Sequence, residues 1–241
     1  MNLKTLNTQE VTSLFKDKRI AVIGSSPNLI GRSLGKIIDE YDLVLRFNDA
    51  VLFTKDYKVD YGSKCNIWCI SGWSPYLDKE YPNKYFLSDF PKGHDNKGGS
   101  DPFLSFIRDN NPTILGTRTI NQKDPSLLQK GLTMRGPIFE LIKHFELPYI
   151  NTPSEIFHLD MLGGYNNLSS GLAAILLTIH FQPLSIDLFG FGFFDYTKPT
   201  HYWNQVHTYT KEMKQKNMGH NGDKEKTIIK HLVENFNLGI I

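Results

Sequence analysis

The residues best suited to chemistry lie in a few short stretches. His201-Tyr202-Trp203 groups three amphipathic rings in a polar segment, and His220 follows nineteen positions on, inside Gly219-His220-Asn221-Gly222-Asp223-Lys224-Glu225. A histidine just ahead of a helix is exposed enough to meet a substrate, and it titrates near neutrality, so it can take up or give a proton. The chain carries 8 histidines, and any one of them taken alone is as readily structural. Nearer the start, Gly24-Ser25-Ser26-Pro27-Asn28-Leu29 follows an apolar run. A glycine turn at such a place brings backbone N–H groups and small side chains close to a ligand. A plain strand-to-helix turn would read the same way. Arg46-Phe47-Asn48-Asp49 ends a second apolar run. Asn48 offers a donor and an acceptor, which suits a nucleobase, a ribose or a sugar carboxylate, and asparagine is equally a turn initiator.

Other chemistries are excluded by spacing. The glycines of the first loop match neither the dinucleotide fingerprint nor a P-loop, since no Gly-Lys-Ser/Thr follows. No His-x-x-x-His or Cys-x-x-Cys pair occurs, so no metal site is expected. Cys65 and Cys69 are the only 2 cysteines; on one strand they lie too far apart for a disulfide, so free thiols in a reducing compartment are expected.

These groups need a scaffold. Residues 19–24 (RIAVIG), 42–47 (DLVLRF), 65–70 (CNIWCI) and 184–189 read as buried parallel strands. Helices are predicted over 32–38, from Gly136-Pro137 to about Phe145, over 169–181 with Ser169 or Ser170 as N-cap, and over 223–236 with Ile228, Ile229, Leu232 and Val233 on one side. Residues 1–18 read only as polar and mixed in charge, and 71–160 as less regular, with 93–101 (GHDNKGGSD) a mobile loop. The order implies an α/β fold, a Rossmann-like, mostly parallel sheet flanked by helices, in a single domain over 1–241.

Composition bounds the partners. Of 241 residues 40% are hydrophobic and 22% charged, enough for one substantial core. The 27 basic and 25 acidic side chains leave a formal charge of +2, which gives no reason to expect nucleic acid. No segment has the length and apolarity of a signal peptide or membrane span, so the expected setting is the cytoplasm, including the periphery of a membrane.

Taken together, these stretches resemble the sialylmotifs of the eukaryotic-type sialyltransferases, glycosyltransferase family 29. Residues 19–50 with Asp60-Tyr61-Gly62-Ser63-Lys64 look like the large motif, and Leu168-Ser169-Ser170-Gly171-Leu172 with Leu188-Phe189-Gly190-Phe191-Gly192 look like the small one. His201-Tyr202-Trp203 resembles motif III, and His220 with Glu225 the very small motif. The match covers roughly half the chain. It departs at Ser25, where the family usually has asparagine, and at Asn204, which replaces an acidic residue. The family's disulfide cannot form, since Ile20 stands at the first position and no cysteine follows Cys69. The N-terminal anchor of Golgi enzymes is also not found. A neighbouring family of bacterial sialyltransferases is the nearest alternative.

The resemblance implies a variant glycosyltransferase fold of type A and an inverting transfer from CMP-sialic acid to a glycan hydroxyl, a galactoside or sialoside. It implies His220 as the base, His201 with Tyr202 beside it as donors to the departing phosphate, and Glu225 as a group that orients His220 or caps the last helix. Ser25, Ser26, Asn28, Asn48, Ser169, Ser170, Gly171, Gly190 and Trp203 would complete the donor site. No two aspartates are separated by a single residue, so the Asp-x-Asp pair that holds a divalent ion in many sugar transferases is missing, and no cofactor is expected. A transferase for another CMP-sugar such as CMP-Kdo, or a silent nucleotide-binding module, would fit similar contacts.

Overall fold

The computed structural model describes residues 4–70, 102–117, 145–150, 162, 168–193, 201–203 and 221–241. The apolar runs at 19–24 and 42–47 are the two central strands, β1 (Arg19–Ile23) and β2 (Leu43–Phe47). β3 (Ile67–Ile70), β4 (Thr113–Gly116) and β5 (Tyr149–Ile150) extend the sheet beyond β2, and β6 (Ser185–Phe189) and β7 (Leu238–Ile240) extend it beyond β1. The order is β5-β4-β3-β2-β1-β6-β7, and every pair is parallel. β2 and β3 are buried along their whole length, because helices and loops cover both faces of the sheet.

Alternation along the strands sorts the two faces. Ile20, Val22, Leu43, Leu45 and Phe47 pack into one cluster with the helices α5 (Ser170–His180) and α6 (Gly222–Asn235). Ala21, Ile23 and Val44 face the other side, toward Leu29, Ile38, Tyr61 and Tyr202. α5 is apolar on nearly all sides and is buried from Leu172 to Thr178, as its composition requires. α6 buries Ile228, Ile229 and Leu232 and leaves Val233 half-covered, close to the predicted stripe.

Several elements differ from the expectation. The helix predicted over 32–38 is only α2 (Gly35–Asp39). Gly31 and Ser33 take left-handed φ of 81° and 55°, and both donate their N–H to the Asp60 carboxylate, which holds this stretch as a turn. Residues 1–18 contain α1 (Thr8–Phe15), started by a capping box in which Asn7 and Glu10 each accept the other's N–H. The short helix α3 (Lys58–Tyr61) precedes β3, and the stretch read as irregular contains α4 (Pro102–Asn110), β4 and β5. The helix predicted to open at Gly136-Pro137 and the glycine-rich loop at 93–101 lie outside the described residues. Cys65 and Cys69 are buried free thiols, with burial pushing Cys65 up to about 12 and Cys69 upward as well, so neither is an available nucleophile. Among the described residues no helix is long and apolar enough to cross a membrane.

Candidate active site

The sheet reverses its direction of winding between β1 and β6: the chain runs from β1 outward through β2 on one side, and from β6 to β7 on the other. In an open parallel sheet the crevice at the carboxyl ends of such strands is where ligands bind. Gly24 and Gly190 end the two strands, and their backbones touch. Gly24 N–H donates to Phe189 O at 2.7 Å, and Ser26 N–H donates to Gly190 O at 2.9 Å. A Cβ on Gly24 would stand 2.4 Å from Gly190 O, and Gly190 has φ of 69°. Gly24→Ala must therefore push two backbones apart. Thermal unfolding should show a loss of about 1–3 kcal/mol, the usual scale of an overpacked interior.

The two loops beside this contact hold the first group of candidate residues. Ser25 and Ser26 are half-buried and Asn28 is exposed, with its side-chain N–H near Phe191 O at 3.5 Å. The Tyr61 hydroxyl donates to Ser26 O at 2.5 Å and fixes the loop from below. Asn48, half-buried at the end of β2, has φ of 44°, a left-handed value uncommon for a residue with a Cβ. Arg46, on the buried face of β2, donates to the carbonyls of Lys64 and Tyr61 at 2.9 and 2.6 Å and so ties the turn after α3 to the strand.

Tyr202 lies between the first two loops. Its side chain is 1% exposed, it stacks on Tyr61 with ring centroids 4.0 Å apart, and its hydroxyl donates to Ala50 O at 3.2 Å. Burial pushes its pKa up to about 12, which keeps the hydroxyl a neutral donor. Its backbone N–H donates to Ser25 O at 2.8 Å, so Tyr202 joins the loop after β1 to the loop after β2. Its neighbours stay half-exposed. His201 stacks on Trp203 at 4.6 Å with the rings 5° from parallel, and Trp203 stacks on Phe53 at 5.3 Å. The His201 imidazole is thereby held flat beside the loop that begins at Asn48.

Ser169 and Glu225 form the second anchor. Ser169 is the N-cap of α5, its Oγ accepting from Leu172 N–H at 3.2 Å. The same hydroxyl donates to Glu225 Oε2 at 2.6 Å, and Ser169 N–H donates to Oε1 at 2.7 Å. Glu225 is 3% exposed in the first turn of α6, so one buried carboxylate binds the starts of two helices. The positive ends of both helix dipoles favour its charge. The cap of α6 is Asn221, whose side chain accepts from Lys224 N–H, which displaces the capping role expected of Glu225. Ser169 thus holds the frame, while Ser170 and Gly171 lie half-exposed on the first turn of α5. His220, the residue before that cap in sequence, lies outside the described residues. Among the described residues no group of three or more His, Cys, Asp and Glu is arranged to hold a metal ion.

Motif reading singled out small polar residues of these loops; it took Tyr61 only as part of Asp60-Tyr61-Gly62-Ser63-Lys64 and did not single out Trp68. The polar tips of these two bond the Ser26 and Asn48 carbonyls. Trp68 lies in an apolar run and Tyr61 in a short polar one, and neither position announces its hydrogen bond in sequence.

The chain is 27% identical over 229 residues to the rat CMP-N-acetylneuraminate-beta-galactosamide-alpha-2,3-sialyltransferase 4, covering 90% of this chain and 62% of that enzyme's length. A mammalian sialyltransferase solved with Gal-beta-1-3GalNAc-ortho-nitrophenol superposes with a TM-score of 0.56 at 19% identity, over 100% of this chain and 74% of the other. The sialyltransferase CstII from Campylobacter jejuni, solved with cytidine-5'-monophosphate, gives 0.51 at 15% identity, over 93% and 79%. At such identities these two establish the fold. The model of glycosyltransferase family 29 (sialyltransferase) matches residues 3–86 and 140–236, three quarters of the sequence, and the chain belongs to that family.

Proposed function

We propose that the protein transfers sialic acid from CMP-sialic acid to a glycan hydroxyl with inversion and without a metal ion. The observation that carries the reading is the family match over residues 3–86 and 140–236, supported by the contacts that join the loops after β1, β2 and β6, the start of α5 and Tyr202.

Asn28, Asn48, Ser25 and Ser26 on the first two loops, with Ser170, Gly171 and Gly190 opposite, supply small polar groups and close backbone for the nucleotide and the sialic acid carboxylate. Trp203 holds His201 by stacking, and Tyr202 and Ser169 support the loops from within. His220 accepts the proton of the acceptor hydroxyl as that oxygen attacks the anomeric carbon. The bond to CMP breaks from the opposite face, and His201 donates to the phosphate oxygen as charge builds there. One phosphodiester-like group has less charge to neutralise than a sugar diphosphate, so hydrogen-bond donors suffice. Glu225 fixes the start of α6, the helix that follows His220 in sequence.

Transfer is expected to survive excess EDTA, because no Asp-x-Asp pair is available to bridge a metal to the nucleotide. Complete loss of activity, restored by Mg²⁺ or Mn²⁺, would refute that part of the mechanism. The donor is tested by competition. Unlabelled CMP-sialic acid should suppress transfer from a labelled donor at far lower concentration than CMP-Kdo does, and the reverse order would reassign the sugar.

A further inference from the structure

We infer that Trp68 is a positioning residue for the donor site, acting through Asn48; this rests on the reading of Asn48 as a nucleotide contact. Asn48 sits at the end of β2 with φ of 44°, a left-handed value that asparagine tolerates better than other residues with a Cβ. Asn48 opens the 3-10 turn Asn48–Phe53, and one group that holds it comes from the next strand. Trp68 on β3 lies opposite Arg46 in register, two residues before Asn48, and its indole Nε1 donates to the Asn48 carbonyl at 3.0 Å.

That bond fixes the peptide plane leaving Asn48, and with φ already left-handed it sets the direction of the Asn48 side chain. The indole itself has little freedom. Trp68 is 1% exposed and meets Phe106 edge to face, with ring centroids 5.5 Å apart. β2 and β3 are buried along their whole length, so the donor is held by a stiff part of the molecule. An asparagine held this way meets a ligand without first having to be ordered, and less of the binding free energy is lost to ordering.

The test compares four proteins: the unchanged chain, Trp68→Phe, Asn48→Ala and the double variant. CMP affinity is measured by calorimetry, and KM for CMP-sialic acid and kcat by transfer. Trp68→Phe keeps an aromatic ring against Phe106 and loses the donor together with part of the indole's buried volume, a packing cost that thermal unfolding reads separately. It should weaken CMP binding by about 3- to 10-fold, the scale of one neutral hydrogen bond. KM should rise in step while kcat changes by less than about 2-fold, since the contact exists before the reaction begins. Asn48→Ala should weaken CMP binding as well, and adding Trp68→Phe to it should cost nothing more.

A purely structural role for Trp68 would give independent penalties, so an affinity loss in the double variant that multiplies the two single losses overturns the proposal. So does a Trp68→Phe protein that binds CMP as the unchanged chain does. If Asn48→Ala alone leaves CMP affinity unchanged, the reading of Asn48 fails and the proposal falls with it. Should Trp68→Phe not fold, Trp68→Met, smaller but flexible and without a donor, enters the cycle in its place.

Discussion

His220→Ala is expected to lower kcat by roughly 10²–10⁴ while CMP affinity stays within about 2-fold, because a general base acts on the acceptor and not on the nucleotide. The fold should survive. Glu225, five positions on, is held by Ser169 through two hydrogen bonds, and Asn221 provides the cap of α6, so this helix start has two anchors besides any that His220 makes. Steady-state kinetics with CMP calorimetry and thermal unfolding check all three expectations. A His220→Ala protein that keeps most of its activity removes the base from the account.

His201→Ala should fail in another way. Donation to the phosphate strengthens as charge develops but also exists in the ground state. Loss of the donor is therefore expected to lower kcat by roughly 10²–10³, the scale seen for removing one preorganised donor. It should also weaken CMP binding and slow the hydrolysis of CMP-sialic acid by water, which His220→Ala affects less. The stack of His201 on Trp203, and of Trp203 on Phe53, gives the imidazole a fixed plane, so Trp203→Ala should reproduce part of the His201→Ala defect. If His220→Ala loses CMP binding and His201→Ala binds normally, the two roles are exchanged.

The parts of the fold legible in sequence are those whose burial is written in consecutive residues. β1, β2, β3 and β6 lie in the interior of a parallel sheet, and their apolar runs end within three residues of the observed bounds. β4, β5 and β7 have four, two and three residues, and their pairing depends on neighbours far along the chain, so no local pattern announces them. α1 lies in a stretch read only as polar and mixed in charge: its eight residues are too short for their amphipathic pattern to stand out, and the capping box of Asn7 and Glu10 emerges in the structure. α2 was overextended because Gly31 and Ser33 take left-handed φ only in concert with Asp60, about thirty residues later.

The site divides along the same line. Small polar residues at strand ends, such as Ser26 and Asn48, are visible because nothing in a core explains them. The groups that hold them are not. Tyr61, Trp68 and Tyr202, the last singled out in sequence for another role, are buried aromatic residues whose single polar atoms reach the carbonyls of Ser26, Asn48 and Ala50. The Glu225–Ser169 pair spans 56 residues, and a first-turn glutamate explains itself locally by the helix dipole, so its true partner emerges only in three dimensions.

The central claim is tested most directly by incubating the pure protein with CMP-sialic acid and a panel of galactosides and sialosides, and weighing the products by mass spectrometry. The account predicts at least one acceptor that gains a single sialyl residue as an equal amount of CMP appears, and no transfer from the His220→Ala protein. CMP-sialic acid that binds but remains intact with every acceptor, or a panel that is modified only from CMP-Kdo, would contradict it.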